Sequence, residues 1–246
     1  MNLEELPEDV KKDIEDQSLK ILEVIASRIV VIGGWATRAH LGEGHHRYTL
    51  DVDGVADEPT LQELRGIFVD MGLSEEPVDW GIKFFKKYEP SVDVPKDSLP
   101  LVEQVQLRIE ISPPRIREYQ THHYSEFSLT DYKIKNISYH NIERSVNARV
   151  PPIEHMAAVK LGLPVGYKHN FDAAMLLQKS DIEKVIHSIK SNDDWASLVV
   201  LRRMPKLKGR IKERGSLENT LALGAGLDIK EHIKRLELIE TNLRKL

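Results

Sequence analysis

The stretch that most restricts what this chain can become runs from Val30 to Asp53. Val30-Val31-Ile32 is a short apolar, β-branched run, and it stops on Gly33-Gly34. A run of that kind closed by glycines predicts a buried strand. Ala36 to Leu41 then has room for one or two helical turns. A helix that starts behind two glycines leaves backbone N–H groups bare, with no side chain to crowd an approaching anion. Further on, Arg47-Tyr48-Thr49-Leu50-Asp51-Val52-Asp53 reads as a second strand. Alternation puts Asp51 and Asp53 on one face and Val52 on the other. Two carboxylates held that close repel each other, and a strand gains nothing from them. A divalent cation removes the cost, and Mg²⁺ takes oxygen ligands of this kind.

The rest of the chain divides at Pro151-Pro152. Before it, a helix is predicted over Asp9 to Ser27. A second opens on Thr60-x-x-Glu63, read as a capping box, with Leu61, Leu64, Phe68 and Met71 on one side and Gly72 as the stop. Strands are expected at Ile82 to Tyr88, at the short Val92-Asp93-Val94, and at Val105 to Ser112. In the last of these, Val105, Leu107, Ile109 and Ile111 alternate with polar residues. Phe127 to Tyr139 alternates too, and the segment on to Val150 fits no single pattern. After Pro152 everything reads helical: Ile153–Leu163, Phe171–Gln178, a helix behind a second box at Ser180-x-x-Glu183, Asp193–Arg203, Leu207–Leu223, and a last one capped by Asp228. The expected plan is an α/β unit over residues 1–150 and a helical unit over 151–246.

Several function classes drop out. With no cysteine there is no disulfide framework, thiol nucleophile or Cys-ligated zinc. A net charge of −4 does not suit a protein that coats nucleic acid. Met1 to Asp16 is acidic and polar, unlike a signal peptide, and no apolar run is long enough for a bilayer. A cytoplasmic protein with no membrane partner is expected.

Together, the glycine pair and the spaced acids resemble the nucleotidyltransferase signature of the DNA polymerase β-like superfamily. The form Arg47-x-Thr49-x-Asp51-x-Asp53 is most similar to the branch that holds the AbiEii-type toxins and related nucleotidyltransferases. The resemblance covers scattered motifs over residues 28–175. It implies an α+β fold, a nucleotidyltransferase-like mixed sheet with flanking helices followed by a helical C-terminal half. It also implies an enzyme that moves a nucleoside monophosphate from an NTP such as ATP to an acceptor, with release of pyrophosphate. Two Mg²⁺ ions are the expected cofactors. RNA, a protein and a small molecule all stand open as acceptor. Trp35 departs from the pattern, since many members carry Ser after the glycines.

Specific residues follow. Asp51 and Asp53 are the expected metal-holding pair, with Gly33 and Gly34 around the phosphates. Glu110, on the polar face of the Val105–Ser112 strand, is the third acid, and Arg108-Ile109-Glu110-Ile111-Ser112 resembles the corresponding strand of the AbiEii-like branch. Asp93 is its rival. Arg47 pairs with the acids or with phosphate. Lys160 and Lys168 are candidates to neutralise the triphosphate, each set against an ordinary surface lysine. Lys168-His169-Asn170-Phe171-Asp172 resembles a family motif ending in Asp-x-x-Asp, with His169 in place of its first acid and Asp172 matching the second. The pairs His45-His46 and His122-His123 raise a zinc reading, which needs three or four convergent ligands. The run from Arg202 to Arg214 is either a solvated helix face or a grip for RNA. A second class of function is a non-catalytic nucleotide-binding protein or toxin–antitoxin regulator that keeps the fold.

Overall fold

A computed structural model describes residues 5–42, 45, 47–117, 124–139, 142–164, 166–192 and 194–245. His46 and the pair His122-His123 lie outside the described residues, so the zinc reading is left at His45 alone.

Helix α1 (Glu8–Ile25) leads into β1 (Val30–Val31), α2 (Gly33–Leu41), β2 (Asp51–Val55), α3 (Glu58–Asp70), β3 (Ser74–Val78), β4 (Gly81–Lys87), the short α4 (Leu99–Val102) and β5 (Gln106–Ser112). Strands β6 (Arg115–Arg117), β7 (Tyr124–Glu126), β8 (Lys133–Tyr139) and β9 (Ile142–Val150) follow. The rest is helical: α5 (Ile153–Gly162), α6 (Tyr167–Lys179), α7 (Ile182–Asn192), α8 (Asp194–Lys212), α9 (Leu217–Gly224) and α10 (Ile229–Leu243). The main sheet is mixed and runs β3-β4-β5-β2-β1-β9-β8, while β6 and β7 form a separate ribbon.

Two parallel neighbours, β2 and β5, sit in the middle of the sheet. Their register sets Asp51 beside Arg108 and Asp53 beside Glu110. The opposite face is apolar and closed. Val52, Ile109, Ile111 and Phe84 are all buried there, and Phe84 tilts against Phe68 of α3 with ring centroids 4.4 Å apart. Aromatic pairs at that separation add to what burial alone contributes. One buried apolar cluster continues from α1 through the sheet into α5–α10.

Several expectations change in detail. Helix α2 starts at Gly33 itself, not at Ala36. The cap of α3 is Asp57, whose carboxylate accepts the Thr60 N–H at 3.0 Å, so the helix opens earlier than Thr60. Likewise Asp181, not Ser180, accepts the Glu183 N–H at 3.0 Å and starts α7. Ser180 instead gives its hydroxyl back to the Leu176 carbonyl. Val92-Asp93-Val94 is no strand. Helix α8 runs unbroken through Pro205, which faces solvent while Met204, Leu207 and Ile211 pack inward.

Candidate active site

The glycine pair and the Asp pair meet. Gly33 has φ +65°, and a Cβ there would stand 1.9 Å from Asp53 Oδ2. A Cβ on Gly34 would stand 2.7 Å from Thr49 Cγ2 and 3.3 Å from the Arg47 guanidinium. Both glycines are therefore required by close approach, and at Gly33 also by a left-handed backbone. The Ile32 N–H donates to the Asp53 carbonyl at 2.9 Å, and the Thr37 hydroxyl donates to the Gly33 carbonyl at 2.9 Å. No side chain caps the first turn of α2. Its N–H groups, carrying the positive end of the helix dipole, open beside Asp53.

Electrostatics mark Asp51, Asp53 and Glu110 as a set. Among the described residues, no group hydrogen-bonds to or ion-pairs with the Asp51 or Asp53 carboxylate. Burial, then the charges of Asp51 and Glu110, push Asp53 up to about 7. Burial raises Asp51 as well, opposed by Arg108, Lys168 and Arg47. Glu110 is raised by burial, opposed by a hydrogen bond from the Trp80 indole N–H at 2.8 Å. Sequence pattern missed Trp80, because its link to Glu110 spans 30 residues.

Asp172 has a different setting. None of its side chain is exposed. Arg47 holds it with two nitrogens, Nε to Oδ1 at 2.8 Å and the terminal nitrogen to Oδ2 at 2.5 Å. Lys160 Nζ lies 2.8 Å from Oδ2 and His45 Nε2 lies 3.5 Å from Oδ1. Burial alone would raise Asp172, but Lys160, Arg47 and His45 outweigh it and hold the carboxyl well below the usual range. Behind Arg47, the Arg38 guanidinium donates to the Arg47 carbonyl at 2.8 Å and pairs with buried Glu15 at 2.8 Å. Arg38 also lies 5.0 Å from the ring of Trp35, which is wholly buried. Trp35 thus serves the core. Lys160 is only 4% exposed and is no surface lysine.

A cavity of about 450 Å³ opens on Asp53 and Glu110. Gly33, Asp53, Glu110, Lys160, His169 and Trp80 border it, and Ile116, Phe127, Met156, Val159 and Leu163 supply an apolar wall. Burial, then the Lys160 charge, lowers His169 to about 4, so its ring is neutral at neutral pH. Lys168, in the first turn of α6, reaches Asp51 with its charge. Asp93 is exposed and borders a different depression with Asp13 and Asp16 of α1. Arg202, Lys206, Arg210 and Lys212 lie on the solvent side of α8, with Lys208 bound to Glu240 at 2.6 Å.

The donor chemistry fits a hard divalent cation. Three carboxylates whose charges oppose one another share a sheet face beside bare N–H groups. Among the described residues, however, no three of His, Asp and Glu are arranged so that they could hold a metal ion as they stand.

No protein-family profile and no curated protein matches the chain. Solved structures do resemble it at low identity. JHP933 from Helicobacter pylori is 15% identical, with 98% of this chain and 95% of that one covered and a TM-score of 0.49. A candidate nucleotidyltransferase from H. pylori is 16% identical over 98% of both chains, with a TM-score of 0.47. The antibiotic-resistance factor ANT(2'')-Ia is 17% identical over 72% of this chain and 90% of its own, with a TM-score of 0.46. Likenesses of this size carry nothing about the reaction of this chain.

Proposed function

We propose that this protein is an Mg²⁺-dependent nucleotidyltransferase that moves a nucleoside monophosphate from an NTP to an acceptor hydroxyl and releases pyrophosphate. The observation that carries the reading is Asp53: a carboxylate pushed up to about 7 by burial and by two neighbouring acids, pressed against the glycine turn that opens α2. Such an arrangement costs the fold stability and gives it no contact in return. Sites of that kind are where function concentrates.

When bound, Mg²⁺ at Asp51, Asp53 and Glu110 supplies Lewis-acid stabilisation of the attacking and leaving oxygens. The N–H groups at Gly33 and Gly34 face phosphate oxygens, and Lys168 offsets their charge. Asp172 keeps Arg47 fixed behind Gly34 and Lys160 fixed at the edge of the cavity. Glu110 takes the proton from the acceptor hydroxyl, whose oxygen bonds to the α-phosphorus as the α–β bridge breaks. The raised affinity of Glu110 for a proton suits that task. The cavity accommodates a small acceptor more readily than a folded RNA end, because its far wall is apolar. The pattern Arg47-x-Thr49-x-Asp51-x-Asp53 supports a place near the AbiEii-type branch, and the change of character at Pro151-Pro152 supports separate catalytic and helical units.

The test is transfer of label. Each α-³²P-NTP is incubated with Mg²⁺ and with metabolite, RNA and protein fractions in turn. Label should move to one fraction with release of equimolar pyrophosphate. Label that stays in NTP with every fraction contradicts the reading.

A further inference from the structure

Trp80 sits in the two-residue turn between β3 and β4, where Val78 pairs with Gly81. That turn is pressed onto β5. A Cβ on Gly81 would stand 2.3 Å from the Ile111 carbonyl oxygen, so only glycine lets the hairpin come this close. The approach delivers the Trp80 indole N–H to Glu110 Oε2 at 2.8 Å. The ring itself is 37% exposed and borders the cavity. A tryptophan kept only for apolar burial would not be left that open. Its N–H donates to one carboxylate oxygen and leaves the other free, which fixes the rotamer of an otherwise adaptable glutamate. Neighbouring Lys83, the register partner of Glu110 on β4, is instead paired with Glu76.

We propose that Trp80 is a positioning residue: its indole N–H orients Glu110 toward Asp53 and the acceptor. The proposal rests on the transferase reading of the acid face. A partner that orients a ligand or a base in this way is commonly worth about 10–100-fold in activity when removed.

The test separates the N–H from the ring. Trp80→Phe keeps an aromatic wall and removes the donor. It should lower kcat about ten-fold or more while KM for the NTP stays within about two-fold, since the triphosphate is held elsewhere. Adding Trp80→Phe to Glu110→Gln should cost nothing further, because the two act as one unit. A readout independent of turnover comes from the indole N–H resonances in a ¹H–¹⁵N spectrum. One of the three, absent in Trp80→Phe, should move in Glu110→Gln and exchange faster with solvent in Glu110→Ala. Should Trp80→Phe not fold, the Glu110 variants still decide the matter. The proposal is overturned if kcat is unchanged in Trp80→Phe, if the losses of the double variant add, or if every indole resonance ignores Glu110. If the wild-type protein transfers nothing yet the indole responds, the transferase reading fails and the Trp80–Glu110 link stands.

Discussion

Asp53 and Asp172 are both aspartates sunk into this protein, and their settings are opposite. Asp172 is surrounded by Arg47, Lys160 and His45, and its charge is stabilised despite burial. Asp53 has acids for neighbours, and burial with the charges of Asp51 and Glu110 outweighs the opposing charges of Lys160 and Arg47. Burial acts on both in the same sense, so the partners decide the sign. Asp172 is a hub that joins α6 and α5 to the loop before β2. Asp53 is a cost to the fold, one that a cation at the proposed site would offset.

The largest effect should come from breaking the hub. Asp172→Ala strands two buried cations, and loss of one partner from such a group typically costs about 3–5 kcal/mol. Urea denaturation should show it, and a loss below about 1 kcal/mol would mean that water already screens the group.

Breaking the acid face should do the reverse: activity falls and stability does not. Glu110→Gln and Asp53→Asn should each lower transfer by about 10²–10³-fold, the usual scale for a removed charge-handling group. Asp93→Asn, made in parallel, should leave transfer near wild type. An inactive Asp93→Asn with an active Glu110→Gln would move the third carboxylate.

The comparison sharpens with pH. An acid whose folded pKa is raised favours the fold while protonated, so Asp53 withdraws stability as pH climbs from the ordinary aspartate range through about 7. Asp172, held low, contributes stability at neutral pH that is lost only on acidification below the ordinary range. Without Mg²⁺, melting temperature should therefore fall from pH 6 to pH 8, and Asp53→Asn should flatten that fall. Added Mg²⁺ should stabilise the wild type most at pH 8, because its ligands must be deprotonated. An equal fall in both proteins would place the titrating group elsewhere.

Much of this was legible in sequence because it depends on local rules. The glycine pair, the alternation of Asp51 with Asp53 and the polar face of β5 all follow from spacing within one strand or turn. What sequence hid was tertiary. Arg47 and Asp172 are 125 residues apart, so neither shows its partner. Lys160 read from sequence as a triphosphate candidate or a surface lysine, and its pairing with Asp172 of α6 was not legible there. Strand β3, Ser-Glu-Glu-Pro-Val, has no apolar alternation because it is an exposed edge, the one place a sheet tolerates Pro77. The pattern ends one helix at Arg203 and opens another at Leu207, yet α8 continues through Pro205 between them with its inward face packed on both sides. At α3 two good capping residues competed, and Asp57 won over Thr60.

The smallest effect is expected on α8. Neutralising Arg202, Lys206 and Arg210 together should change stability by less than about 0.5 kcal/mol per site and leave transfer to a small acceptor unchanged. Loss of transfer to RNA, with a flatter salt dependence, would make RNA the acceptor instead.

The central claim is that Asp51, Asp53 and Glu110 form a cation-and-nucleotide site, and calorimetry of NTP binding at pH 8 tests it most directly. With Mg²⁺ the wild type should bind and Asp53→Asn should bind far more weakly, while excess EDTA should abolish the wild-type heat. Equal affinity in EDTA and in Mg²⁺ would contradict the account.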